Sequence, residues 1–164
     1  MRILVLSDSH STMRYMRLAI DTVKPEAVIH LGDHYDNAET LSEEYRHIRF
    51  HMLPGNCDRH RCPPDTPTAF CYCIGGVKFF MTHGHMHGVK TGLSRLLADA
   101  REKNAQAVLY GHTHIADCRQ DGDLWIVNPG ACNSAEGSVA LIETADDTIS
   151  GCTILRLKDL EENV

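Results

Sequence analysis
Histidine demands the first explanation in this chain, since 11 of its 164 residues are His and they cluster in short patterns. Asp8-Ser9-His10 and His112-Thr113-His114 each pair two donors at i, i+2, and His83-Gly84-His85 repeats the spacing. In extended backbone that spacing sends both side chains to one side, so each segment can offer two donors to one small volume. Gly32-Asp33 and Gly55-Asn56 add a carboxylate and an amide. Imidazole nitrogens with carboxylate and amide oxygens, and no thiolate, make the donor set of an open divalent-metal site rather than a closed structural zinc site. Singly, each pattern has an ordinary explanation. Asp-x-His after a strand suits a helix N-cap, and Gly-Asp or Gly-Asn suits a turn. Two imidazoles beside Gly111 have little packing rationale, and the ordinary explanations would have to hold at five places at once.

All five places follow apolar runs that read as strands. Strands are expected over residues 3–7, 27–31, 48–53, 77–82, 107–110 and 124–127. Loops at the carboxyl ends of such strands are where open α/β sheets gather their ligands. Met13, Met16, Ile20 and Val23 recur at helical spacing before Pro25, and Val89, Leu93, Leu96, Leu97 and Ala100 predict a helix from 88 to about 103. A further helix is expected over 37–45, with Asn37 as its cap. Residues 139–143 and 148–157 flank Ala145-Asp146-Asp147 as an antiparallel hairpin. Alternating strands and helices followed by a hairpin imply an α/β layered domain with mixed sheets. Pro63-Pro64 and Asp65-Thr66-Pro67 mark a loop, not a domain boundary.

Composition narrows the function classes. An apolar share of 43% and a charged share of 23% are those of a soluble globular protein with no membrane association. No run approaches membrane-spanning length, and the first residues lack a signal peptide's apolar core, so a cytoplasmic protein is expected. The seven cysteines, an odd number, fit reduced thiols, most of them small buried hydrophobes, better than a disulfide framework. A net charge of −6 without a Lys/Arg run argues against extended nucleic-acid binding, but not against a small phosphorylated substrate. An acidic small domain with sheet edges is also compatible with a homo-oligomer.

The motifs Asp8-x-His10, Gly32-Asp33, Gly55-Asn56-Cys57-Asp58, Thr82-His83-Gly84-His85 and Gly111-His112-Thr113-His114 resemble, in order, those of the calcineurin-like metallophosphoesterase superfamily. Gly-Asn-Cys-Asp, the segment from Gly84 to Lys90, and Asn128-Pro129-Gly130 resemble its small YfcE/YsnB-type phosphodiesterases. The resemblance implies a single metallophosphoesterase domain over 1–164, folded as a four-layer αββα sandwich of two mixed sheets. It also implies two divalent ions, one held by Asp8, His10, Asp33 and His114, the other by Asp33, Asn56, His83 and His112. Asp33 would bridge them. Mn²⁺ suits these donors best, with Ni²⁺, Fe²⁺ or Zn²⁺ as alternatives. Two such ions roughly 3.5–4 Å apart activate a shared water for in-line attack on phosphorus. Against two carboxylates they leave a positive pocket for an anion despite the overall charge of −6.

Such a site implies hydrolysis of a phosphate ester, preferentially a diester. A monoester phosphatase acting on a small metabolite or nucleotide is the alternative enzyme, and a scaffold like the retromer subunit of this fold is the non-catalytic one. Many relatives carry His after the motif Asn, assigned as general acid; this chain carries Cys57, a weaker proton donor. Asn56, Cys57 and His85 are therefore the candidate catalytic residues, and Asn56 and His85 the candidate substrate contacts. Asp58 is expected to orient its neighbours. His87 is expected at the surface, and Asn128-Pro129-Gly130 as a turn shaping the loop beside the metals. Ala131 stands where the family often has Ser.

Overall fold
The computed structural model describes residues 1–10 and 12–162; Ser11, Asn163 and Val164 lie outside the described residues. In chain order the first half holds β1 (Arg2–Leu6), α1 (Arg14–Val23), β2 (Ala27–His30), α2 (Tyr35–Glu44), β3 (Arg49–Met52), β4 (Ala69–Ile74) and β5 (Val77–Thr82). The second half holds α3 (Ser94–Glu102), β6 (Ala107–Leu109), β7 (Asp117–Asp121), β8 (Leu124–Asn128), β9 (Ser138–Ala145), β10 (Thr148–Arg156) and α4 (Leu157–Glu161). Two five-stranded sheets result, ordered β10-β9-β1-β2-β3 and β4-β5-β6-β8-β7. Both are mixed. β1, β2 and β3 are mutually parallel, as are β5, β6 and β8, and antiparallel strands complete each sheet.

Alternation within the strands builds the layers. Ile3 and Val5 of β1 join Ile29, Phe79, Met81, Leu109 and Ile142 in the core between the sheets. Leu4 and Leu6, on the opposite face of the same strand, pack with Met16 and Ile20 of α1, Leu41 of α2 and Leu157 of α4. In the second sheet Phe80 turns away from Phe79 to meet Leu96 and Ala100 of α3. The central strands are thus buried on both faces, which is why they read as continuous apolar runs. The order helix, sheet, sheet, helix is the expected αββα sandwich with two mixed sheets.

Several local expectations need correction. β4 and β7 escaped the sequence pattern because both are edge strands; β7, Asp-Cys-Arg-Gln-Asp, has no apolar alternation to betray it. The α3 helix begins at Ser94, not at residue 88, because Gly88 (φ 65°) and Gly92 (φ 153°) interrupt the segment and residues 85–87 form a short 3-10 turn. The final strand stops at Arg156 and yields to α4. α2 starts at Tyr35, so Asn37 is not its cap but lies in its first turn, where its amide donates to Ser9 Oγ at 3.1 Å. The hairpin turn is as expected: Asp146 (φ 50°) and Asp147 (φ 57°) both take the left-handed region, as a two-residue type I′ turn requires.

The cysteines are a further correction. Cys118 on β7 and Cys152 on β10 are joined in a disulfide where edges of the two sheets meet. Of the other five, only Cys132 is fully buried, and Cys57 and Cys73 are exposed. The odd total concealed a pair that only the tertiary fold brings together. No helix among the described residues is long and apolar enough to cross a membrane.

Phe79 is a large, fully buried side chain between the sheets. Phe79→Ala is expected to lower unfolding free energy by about 3–5 kcal/mol, read from denaturant melts with chelator present, because a cavity adds to the lost transfer energy.

Candidate metal centre
The carboxyl ends of β1, β2, β3, β5 and β6 converge on one volume between the two sheets. The backbone does this with left-handed turns. Asp8 (φ 56°), His10 (φ 44°), Asp33 (φ 57°), His112 (φ 68°) and His114 (φ 61°) all have positive φ, so the Asp-x-His and His-x-His pairs converge by turning, not in the extended form expected. A left-handed residue with a side chain costs about 1–2 kcal/mol, and such residues persist where surrounding contacts over-determine them. Glycines permit the approach. A Cβ on Gly32 would strike the backbone of Gly55, and one on Gly55 would strike the Asp33 carboxylate.

All seven candidate ligands meet here. His114 Nε2 lies 3.1 Å from Asp8 Oδ1 and 3.3 Å from His10 Nε2. His83 Nε2 lies 3.6 Å from Asp33 Oδ1, 3.9 Å from Asp8 Oδ1 and 3.2 Å from Asn56 Oδ1. The His112 ring stands 5.0 Å from that of His83, and its backbone N–H donates to Asp8 Oδ2 at 3.1 Å. Two triads have donor atoms within 4.8 Å of one another: Asp8, His10, His114, and Asp8, Asp33, His83. Asp8 belongs to both, whereas the sequence motifs gave the shared role to Asp33.

The donor set fits divalent ions, on two observations. Asp8 Oδ1 is buried and has no hydrogen-bond partner, although its other oxygen accepts from Ser7 Oγ and His112 N–H. A carboxylate oxygen in that position is costly without a cation. Second, His83 Nδ1–H donates to the Leu31 carbonyl at 2.7 Å, so that in the neutral ring the Nε2 lone pair faces the oxygens of Asp33, Asp8 and Asn56. Lone pairs facing one another attract only through a positive charge between them. The backbone bond to Nδ1 is the usual device for fixing a ligating imidazole.

Comparison with known proteins agrees. Residues 1–147 match the family described as the calcineurin-like phosphoesterase superfamily domain. The chain belongs to that superfamily. It is 28% identical over 131 residues to the probable metallophosphoesterase YsnB of Bacillus subtilis, covering 80% of this chain and 75% of that one. It is 28% identical over 153 residues to the phosphodiesterase MJ0936 of Methanocaldococcus jannaschii, covering 80% and 84%. A solved structure of a predicted phosphoesterase from Streptococcus pneumoniae superposes with a TM-score of 0.76 at 26% identity, over 96% of this chain and 90% of that one.

Around this calcineurin-like cluster stand residues the sequence valued differently. Asp58 orients its neighbours as expected: Oδ1 accepts from the N–H groups of His34 and Tyr35 at 2.8 and 3.0 Å, and Oδ2 from Gly55 N–H at 2.8 Å. It thereby caps α2 and ties the Asp33 loop to the Asn56 loop. Asn128 proves more than a turn residue. Its buried amide donates to Gly111 O at 3.1 Å and Thr113 Oγ1 at 3.0 Å, which clamps the His112–His114 segment. Its sequence signals were a polar residue closing an apolar strand and its place in the Asn128-Pro129-Gly130 motif. His87, expected at the surface, bonds Asp99 at 3.1 Å and packs edge-on against Phe80.

The two proton-donor candidates flank the cluster. Cys57 N–H donates to Asp33 Oδ1 at 2.9 Å, and its Sγ accepts from Asn56 Nδ2 at 3.4 Å. Partial burial and the Asp33 carboxylate raise the Cys57 pKa, so the thiol stays protonated. Burial pushes the Asp33 carboxyl up, but the Cys57 N–H and His83 outweigh it and hold the pKa below the usual range. The His85 ring is 5.4 Å from that of His83. Burial, then His83, lowers its pKa, and burial, then His83 and Lys90, lowers that of His112.

Beneath the cluster, His30 is fully buried, and desolvation lowers its pKa to about 4. Its Nδ1 accepts from Gly32 N–H at 3.3 Å, so the neutral form carries its proton on Nε2. With a folded pKa below the unfolded 6.5, the unfolded chain takes up the proton first. Stability is therefore full above pH 6.5 and declines as pH falls toward about 4, by up to about 3 kcal/mol. Denaturant melts of the chelated protein across that window should show the decline, and His30→Leu should flatten it.

Proposed function
We propose that this chain is a two-metal phosphodiesterase acting on small phosphate diesters. Asp8, His10, Asp33 and His114 would hold one ion, and Asp33, Asn56, His83 and His112 the other, with Asp8 near enough to serve both. The observation that carries this reading is the buried Asp8 Oδ1, which accepts no hydrogen bond and is set among imidazole nitrogens and a second carboxylate. Nitrogen and oxygen donors without a thiolate favour Mn²⁺, with Ni²⁺, Fe²⁺ or Zn²⁺ also accommodated. Bound divalent ions supply a lowered pKa for water and charge compensation for the phosphoryl oxygens.

The chain's own residues set the preference among esters. Asn56, exposed beside His83, is placed to donate from its amide to a phosphoryl oxygen, and half-buried His85 stands beside His83 and His112 for a second contact. Cys57, a thiol of raised pKa, is a weak acid, and burial of His85 favours its neutral ring, which has no imidazolium proton to give. A leaving oxygen must then depart with little help, which favours esters with good leaving groups.

The test is reconstitution. Metal-free protein reloaded with Mn²⁺ should hydrolyse bis(p-nitrophenyl) phosphate faster than p-nitrophenyl phosphate, and Asp33→Asn should lower that rate about 100-fold or more. Absence of turnover on both substrates with every one of Mn²⁺, Ni²⁺, Fe²⁺ and Zn²⁺ would leave the scaffold reading instead.

Position 57 yields a separate expectation. Cys57→His should raise monoester turnover relative to diester turnover by about tenfold or more. An unchanged ratio would mean that residue 57 does not protonate the leaving group.

A further inference from the structure
Two concavities adjoin the metal centre, one beside the loop after β3 and one beside the loop after β6. The first, of about 850 Å³, is polar and includes Asp36, Glu39, Cys57, His60 and Arg61, with Arg61 held by Asp36 at 2.7 Å. The second, of about 550 Å³, differs in kind. Val89, Leu93, Tyr110 and Ile115 give it apolar walls, and Lys90 and Asp117 stand among its polar groups. Its volume lies in the range of pockets that enclose small organic ligands.

The apolar groove borders the loop that carries two of the candidate ligands. Thr113, which lines the groove, is the residue between His112 and His114, and Tyr110 directly follows β6 at the start of the loop that carries both histidines. Asn128 fixes that shared rim by its bond to Thr113. Ile115 is 71% exposed, so it joins no core. A lone exposed aliphatic residue is unremarkable. One that extends the apolar wall formed by Val89 and Leu93, one residue past His114, gives the groove an outer lip.

We propose that this groove is the subsite for one arm of a phosphodiester, and that it selects a flat, largely apolar arm, an aryl group or nucleobase, over a short alkyl one. This rests on the phosphodiesterase reading above and adds its substrate class. A diester seated on the metals carries two organic arms, and an arm on the β6 side must leave across Thr113. Its apolar face then meets Leu93 and Ile115, and Lys90 offers a positive charge to the ester's anion. Asp117, held by Arg119 at 3.0 Å, accepts a hydrogen bond from a polar N–H or O–H on the arm. A phosphate monoester seated with its one arm toward β3 leaves the groove empty.

The experiment is calorimetric binding of two ligands to the Mn²⁺-loaded protein: methyl ethylphosphonate and methyl benzylphosphonate. Their P–C arms cannot be hydrolysed, and methoxide is a poor leaving group. The benzyl compound should bind about tenfold more tightly, as expected for burying a ring against apolar walls. Ile115→Ser, on an exposed side chain, and Leu93→Ala should each cut the benzyl-to-ethyl ratio about threefold or more. A ratio near one in the unsubstituted protein, a ratio untouched by both substitutions, or binding of neither ligand overturns the subsite. Benzyl preference without metal-dependent hydrolysis of any diester overturns the catalytic reading and leaves the groove standing. Hydrolysis without benzyl preference does the reverse.

Discussion
Two buried carboxylates, Asp8 and Asp33, stand at the ends of adjacent parallel strands with imidazole nitrogens packed against them. Such a cluster is electrostatically unfavourable unless every oxygen finds a donor or a cation. Much of the surrounding structure supplies the donors. Ser7 Oγ and His112 N–H serve one oxygen of Asp8, and Cys57 N–H serves Asp33. The remaining Asp8 oxygen accepts no hydrogen bond and has the His114 imidazole beside it, at 3.1 Å. The fold therefore carries a deficit of positive charge at one point, and the sandwich brings the ends of five strands from two sheets to that point.

Holding the deficit open requires rigidity behind it. Parallel strands buried on both faces fix where β1, β2, β5 and β6 end, and the loops leave those ends through left-handed residues that cannot relax into longer turns. The meeting of Gly32 and Gly55 leaves no room for a side chain, and Asp58 binds both loops from behind. Asn128 plays the same part for the second sheet. The site's precision is thus a property of the polar residues under it, which touch no substrate, as much as of the ligands themselves.

This division explains what could be read from the sequence. The candidate ligands were legible because each is a polar residue closing an apolar run, a position where folding alone prefers something cheaper. The strands β1, β2, β5, β6 and β8 were legible because double burial leaves continuous apolar runs. Edge strand β7 faces water along much of its length, so its composition resembles loop. Asn128 was undervalued because a turn accounts for an asparagine before Pro-Gly without reference to anything distant, and its bond to Thr113 crosses 15 positions of chain. The Cys118–Cys152 pair, 34 residues apart, is invisible for the same reason. The i, i+2 spacing of Asp8 and His10 suggested extended backbone, whereas both residues lie in left-handed turns; turning and extended backbone can both bring two such side chains together.

The weak proton donors and the shape of the surroundings point to the same ester. Where a strong acid protonates the leaving oxygen, a site can accept poor leaving groups and recognise little beyond the phosphate. Here Cys57 is a thiol whose pKa is raised by its carboxylate neighbour, and burial disfavours protonation of His85. Rate must then come from placing the ester well, and placement requires contacts to the parts of the substrate that do not react. The two loops that carry Asn56 and His112 each border a concavity, one polar and one apolar. On the proposed reading, a molecule with an anionic centre and two unlike arms would use both, and the weak acid and the paired grooves would select for the same substrate.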